Sequence, residues 1–222
     1  MRNLLKTDWA AWIALLLPFI ALLFVWDMIP EEVPQRWNEE GEVVAYGSKD
    51  FTIFIMPLAS VFTYLLLLAV PYIDPKGKMA ANQKGLRVFR FLIPLMFTAI
   101  FADICLRWLG ILTGESIRLP LLLVLGFFAL MGNYFSTFPP NYFVGIRTPW
   151  TLEDPENWRK THRFAGRMWV SVSLLLIPLA FFLFESLFFM LFMAGTLLMA
   201  FVPILYSFLL FLEKKKATAE DA

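Results

Sequence analysis

Residues 133–167 read NYFSTFPPNYFVGIRTPWTLEDPENWRKTHRFAGR, the longest segment of the chain that cannot sit in a membrane. Almost everything around it can. It holds the only histidine, His162, two of the eight tryptophans, Trp150 and Trp158, and five cations: Arg147, Arg159, Lys160, Arg163 and Arg167. Its neighbours are long apolar runs. The whole chain of 222 residues is 59% hydrophobic and 17% charged, with 24 phenylalanines. A soluble domain could not cover that much apolar surface with so few polar groups. A helix crossing the hydrocarbon core needs about 20 apolar residues, and the runs have that length.

Working outward, six spans are expected: Trp9 to Trp26, Phe51 to Ile73, Phe91 to Leu112, Leu119 to about Phe135, Met168 to Phe184, and Leu187 to Leu212. The first reads as an uncleaved helix, because Asp27-Met28-Ile29-Pro30 follows it where a small-residue cleavage site would be needed. Glu185-Ser186 is the only break between the last two spans, which predicts a tight antiparallel pair. Backbone groups in lipid must be satisfied within the element, so the spans are helices. The fold class is an all-α integral membrane protein, a six-transmembrane-helix bundle in the cell membrane. The lone Cys105 allows no internal disulfide and reads as a small buried hydrophobe.

Cation counts set the orientation. The N-terminus, second loop, fourth loop and tail carry 2, 5, 5 and 3 Lys or Arg, against 2, 1 and 0 in the other three loops. That split of 15 to 3 places both the N-terminus and the C-terminus in the cytoplasm. The loop from Asp27 to Asp50, with seven acids and two cations, then faces outward. Within it Asn38-Glu39-Glu40-Gly41 reads as a turn, with Val43 to Tyr46 a short strand pairing back across it.

The signature segment resembles that of the SdpI family of bacterial membrane proteins. The residues that carry the resemblance are Asn133-Tyr134-Phe135, then Asn141 through Leu152, then Trp158-Arg159-Lys160-Thr161-His162-Arg163. The first loop agrees through Ile29-Pro30, Val33-Pro34, Trp37-Asn38, Gly41-Glu42 and Tyr46-Gly47-Ser48-Lys49, similar to a small module that often precedes that signature. The module usually has a histidine before its aromatic residue; here Arg36 stands there, so no role of that histidine carries over. The resemblance implies an N-terminal module over residues 1–73 and a four-span SdpI-like region over 74–222, with the signature loop at 136–167. It also implies immunity: protection from a secreted, membrane-active peptide toxin, and a receptor role that holds a small winged-helix repressor at the membrane.

Candidate site residues follow from this. In the signature loop they are Asn133, Asn141, Gly145, Arg147, Trp150, Trp158, Arg159, His162 and Arg163. Asp154-Pro155 reads as the start of a helix on which Trp158 and His162 share one face and Arg159, Arg163 and Arg167 another. Such a helix is expected to lie at the bilayer surface, arginines toward phosphates or an acidic partner; bare anchoring to head groups is the blander reading. His162 reads as a hydrogen-bonding residue or a pH switch. Asp103 and Arg107, four residues apart within the third span, are expected to pair, with Asn133 as a further partner, either as a functional pocket or as a structural ion pair. In the first loop the candidates are Trp37, Asn38, Gly41 and Tyr46. No nucleophile motif or metal cluster stands out, so no catalytic residue, metal or cofactor is expected, nor direct nucleic-acid binding. A small transporter or channel gated by Asp103 and Arg107, or an enzyme acting on lipid head groups, is the alternative.

Overall fold

An apolar run in lipid can satisfy its backbone by coiling, and the computed structural model is built almost wholly from such coils. It describes residues 7–38, 43–75, 79, 83–112 and 116–220. The helices are α1 (Trp9–Val25), α2 (Lys49–Ile73), α3 (Gln83–Trp108), α4 (Arg118–Gly132), the short α5 (Pro149–Glu153), α6 (Pro155–Leu179) and α7 (Glu185–Glu220). Between α1 and α2 the acidic loop folds into an antiparallel hairpin of β1 (Glu32–Trp37) and β2 (Val43–Ser48), as the sequence suggested. Its register shifts at Gln35. That side chain crosses β2 at Gly47, where a Cβ would overlap it, and donates to the Thr52 hydroxyl.

Among the described residues, five segments are long and apolar enough to cross a membrane: Trp9–Met28, Lys49–Ile73, Gly85–Trp108, Arg118–Thr137 and Glu185–Ala219. Their outward side chains are apolar, with Leu23 and Phe24 more than three-quarters exposed, as suits lipid contact. α6 is not among the five. Its apolar part, Met168–Leu179, is only about 18 Å long. It nevertheless runs antiparallel to α4 along the length of that helix. Gly166 meets Gly132 at one end; at the other, Arg118 donates to the Leu183 carbonyl at 3.1 Å and the Ile117 amide to Glu185 Oε1 at 2.6 Å.

α1, α2 and α3 pack as one group and α4, α6 and α7 as another, joined through α3 and α4. Two of the prolines within the helices serve this packing. Pro18 lacks an N–H, which leaves the Ala14 carbonyl without its helical donor; the Thr98 hydroxyl of α3 supplies one at 2.6 Å. Pro203 does the same to Met199, whose carbonyl takes the Trp169 indole N–H of α6 at 3.0 Å. Each helix gap thereby becomes a contact between helices.

Three expectations are corrected. The signature helix and the span expected from Met168 are not separate: residues 155–179 form one continuous helix, because nothing between Arg167 and Met168 breaks it. The break between the last two long helices is not Glu185-Ser186 but the apolar turn at residues 180–184, and Glu185 opens α7 in its first turn, where a carboxylate is favourable. Arg90 is no loop cation, since it lies inside α3 and is buried.

Candidate functional site

The signature loop is built around Asn141. Pro139 and Pro140 hold the chain extended before it. The Asn141 side chain then closes a turn on itself: Oδ1 accepts the Phe143 and Val144 amides at 2.8 Å, and Nδ2 donates to the Pro139 and Val144 carbonyls. Asn141 is wholly buried. The chain leaves this turn through Gly145 at φ 108°, a conformation that side-chain-bearing residues rarely adopt. A Cβ there would also stand 2.2 Å from His162 Nε2.

The loop and α6 are joined through that histidine. Nε2 of His162 accepts the Ile146 amide at 2.9 Å, so the ring proton sits on Nδ1, which donates to the Trp158 carbonyl at 2.8 Å. The His162 and Trp158 rings stack at 4.0 Å, and the Trp158 indole donates to the Phe138 carbonyl at 2.8 Å. Burial pushes the His162 pKa down to about 4, the bond to the Trp158 carbonyl opposing it only in part. The ring is therefore neutral near pH 7. Its two bonds satisfy backbone groups, which makes it a clasp between loop and helix.

A second clasp joins the loop to α7. Thr148 and Thr151 cap α5 reciprocally, and the buried Thr151 hydroxyl reaches back to the Ile146 carbonyl at 2.8 Å. Trp150 packs on Phe208 and Phe211 and donates to Ser207 Oγ at 2.8 Å. Asn157, held by the Thr161 hydroxyl at 3.0 Å, donates to the Ser207 carbonyl at 2.9 Å. Asp154 caps α6 and pairs with Lys214 at 2.9 Å. Burial would raise its pKa, but Lys214 and the Glu156 and Asn157 amides outweigh that and lower it.

The candidates thus separate into two kinds. Asn141, Gly145, Trp158 and His162 are interior, and Trp150 is docked on α7. Arg147, Arg159 and Arg163 are exposed. Arg147 turns back to donate to the Tyr142 carbonyl. Arg163 and Arg167 line a cleft of about 420 Å³ with Asn133, Ser136 and Ser171.

At the opposite end, Asp103 and Arg107 form a bidentate pair, Nε to Oδ2 at 2.9 Å and the second nitrogen to Oδ1 at 3.0 Å. Asn133 is not their partner: it donates to the Ala129 carbonyl at 3.0 Å, at the signature end of α4. The pair lines a cleft of about 670 Å³ together with Gln35, Arg36 and Asn38 of the hairpin and Ser116 before α4. A neighbouring cavity of about 340 Å³ lies between the hairpin, α2 and Trp108. Tyr46 is exposed on β2. Trp37 closes β1 opposite Val43, its side chain lying outside the described residues, as does Gly41.

One cluster escaped the sequence reading. Asp8, Arg90 and Tyr64 are all at most 3% exposed. Arg90 Nε donates to Asp8 Oδ2 at 2.6 Å, and the Tyr64 hydroxyl reaches the same oxygen at 3.3 Å. This charge-assisted knot ties α1 to α2 and α3. The signal that could have found it is the setting of Arg90 between Phe89 and Phe91, inside an apolar run. Lys49 was missed likewise: it is buried against Trp26 and pairs with Glu31 at 2.8 Å.

A model of the SdpI/YfhL protein family matches residues 137–207, and one of a domain of unknown function, DUF1648, matches residues 13–61. Immunity protein SdpI of Bacillus subtilis (strain 168) is 28% identical over 169 residues, which cover 75% of this chain and 77% of that protein. No solved structure matches. The first match takes in the loop clasp and the helix contacts up to Ser207; the second takes in α1, the hairpin and half of α2. The resemblance read from the signature is thereby confirmed: this is a multi-pass cell-membrane protein similar to the SdpI family, with a DUF1648 module in front of its SdpI/YfhL segment.

Proposed function

We propose that this protein is a membrane immunity protein that protects its cell from a secreted, membrane-active peptide toxin. The observation that carries the reading is the likeness to Immunity protein SdpI over 75% of the chain. In this reading the chain crosses the bilayer six times, α6 being the fifth crossing, because it runs antiparallel to α4 along that helix. Both termini are cytoplasmic in this reading, in keeping with the excess of cations on that side. Residues 1–73 form the N-terminal module and 74–222 the SdpI-like region. The hairpin then faces outward over the cleft that holds Asp103 and Arg107, where a toxin arriving from outside or from the outer leaflet would be met. The signature loop faces the cytoplasm. Its clasped core holds Arg147 and Arg159 outward in fixed positions, a surface suited to an acidic soluble partner such as a winged-helix repressor.

Expression in a toxin-sensitive bacterium tests the reading. Survival under toxin should rise with the intact chain and not with an empty vector. Unchanged survival, with the protein present in the membrane, would refute it.

A further inference from the structure

We propose that the cleft between α4 and α6 at the signature end binds the phosphate group of an anionic phospholipid, whose chains lie along α6. The inference is independent of the immunity reading. It starts from two glycines. Gly132 and Gly166 bring the two helices together so closely that a Cβ on either would meet the other's carbonyl oxygen at 2.8 or 2.4 Å. With no side chains at the crossing, a cleft of about 420 Å³ is left beside it.

The groups around that cleft share one character. Arg163 and Arg167 supply two guanidinium groups, Asn133 an amide, and Ser136 and Ser171 hydroxyls. No carboxylate lines it, and His162 presents a neutral ring whose nitrogens are both engaged. Arg163 and Arg167 are exposed, and neither guanidinium has a hydrogen-bond or ion-pair partner among the described residues. Other cations near this end have carboxylate partners, Lys160 in Glu156, Lys214 in Asp154 and Arg90 in Asp8, while Arg147 and Arg159 do not line the cleft. Two uncompensated guanidiniums among neutral donors are the chemistry of a phosphate oxyanion site.

The lipid assignment comes from the helix face. Arg163, Arg167, Val170 and Leu174 follow one another at intervals of three and four residues, with Ser171 four after Arg167, so they descend one face of α6. That face passes from charged to apolar at Met168, which is the level of the head groups for a helix entering the bilayer. Leu174, two turns below Arg167, is 59% exposed. A phosphodiester held by the arginines would lay its acyl chains along Val170 and Leu174.

The test uses the full chain in detergent. Thermal unfolding is followed with dioctanoyl phosphatidylglycerol, dioctanoyl phosphatidylcholine, or inorganic phosphate added. The lipid assignment predicts a rise in Tm with phosphatidylglycerol and little or none with the other two. Arg163→Gln with Arg167→Gln should unfold at the parent's Tm without lipid and bind phosphatidylglycerol about 30-fold more weakly, from about 1 kcal/mol per juxtamembrane cation. Lys215→Gln with Lys216→Gln, which removes the same charge elsewhere, should keep the full response. A rise with inorganic phosphate equal to that with phosphatidylglycerol would support the oxyanion site and assign it to a free phosphate instead. Equal rises with both lipids, or a full response in the double arginine variant, would overturn the proposal.

Discussion

The two ends of the bundle are built on opposite plans. At the signature end the polar side chains that enter the interior are spent on backbone groups. Asn141 closes its own turn, His162 takes the Ile146 amide, Trp158 the Phe138 carbonyl and Asn157 the Ser207 carbonyl. At the hairpin end a two-stranded sheet stands over clefts of about 670 and 340 Å³. The charged pair there, Asp103 and Arg107, sits at a cleft wall. The first end is a jig that holds exposed arginines in place. The second is a recess that can receive something. The lone histidine and the motif tryptophans are consumed in folding.

The sharpest way to break that contrast is at the knot below the signature end. Arg90→Ala would leave the buried Asp8 carboxylate with only Arg87 at 3.8 Å and the Tyr64 and Thr7 hydroxyls, a loss of up to about 3–5 kcal/mol. The expected outcome in detergent is a chain that no longer gives a cooperative thermal transition. A variant that melts like the parent would mean that the knot does not hold α1 in place. A smaller effect is expected at Gly145→Ala, where a strained φ and the His162 ring both resist a methyl group, at a cost of about 1–3 kcal/mol. If this variant keeps the parent's Tm, the clasp is not the organising feature of the loop.

The clasp also predicts an acid response. His162 is depressed from 6.5 to about 4 in the folded protein. Between those values the unfolded chain binds a proton that the folded chain refuses, so the stability this residue contributes is complete above about 6.5 and declines as pH falls toward about 4. A second reason is local, since a protonated Nε2 would face the Ile146 N–H. His162→Gln should flatten this part of the Tm-against-pH curve, and an unchanged slope would remove His162 as its cause. The smallest stability effect is expected at Arg147→Ala, because the side chain is exposed and makes one bond to a loop carbonyl: Tm should move by no more than about 0.5 kcal/mol equivalent. Recruitment of a cytoplasmic partner, followed by co-purification from membranes, should nevertheless fall. Intact recruitment would move the partner surface elsewhere.

The membrane class, the helices and the hairpin were legible because they rest on length, hydropathy and alternation, which are local properties. Asp103 and Arg107 paired as expected, because their four-residue spacing on a helix leaves little choice. Arg90 was misread as a loop cation because hydropathy marks where a span can begin, not where its helix does. Asp8, its partner, lies 82 residues away in sequence, and no spacing rule links them. The signature helix was read apart from the apolar segment that continues it for a similar reason. Its arginine row is amphipathic, but amphipathicity alone does not reveal that the opposite face packs against Phe138, Gly145 and Ser207. The Met199 carbonyl that takes the Trp169 indole was readable in principle, since Pro203 announces an orphan carbonyl four residues earlier.

The contrast between the ends is tested most directly by survival under toxin. The two variants compared are Asp103→Asn with Arg107→Gln, and Arg147→Ala with Arg159→Ala, each matched to the parent for the amount of protein in the membrane. The account predicts that the substitutions at the hairpin-end cleft abolish most of the protection, while the exposed arginines at the signature end leave it within about twofold of the parent, as surface positions ordinarily do. Protection lost at the arginines and kept at the cleft would contradict it.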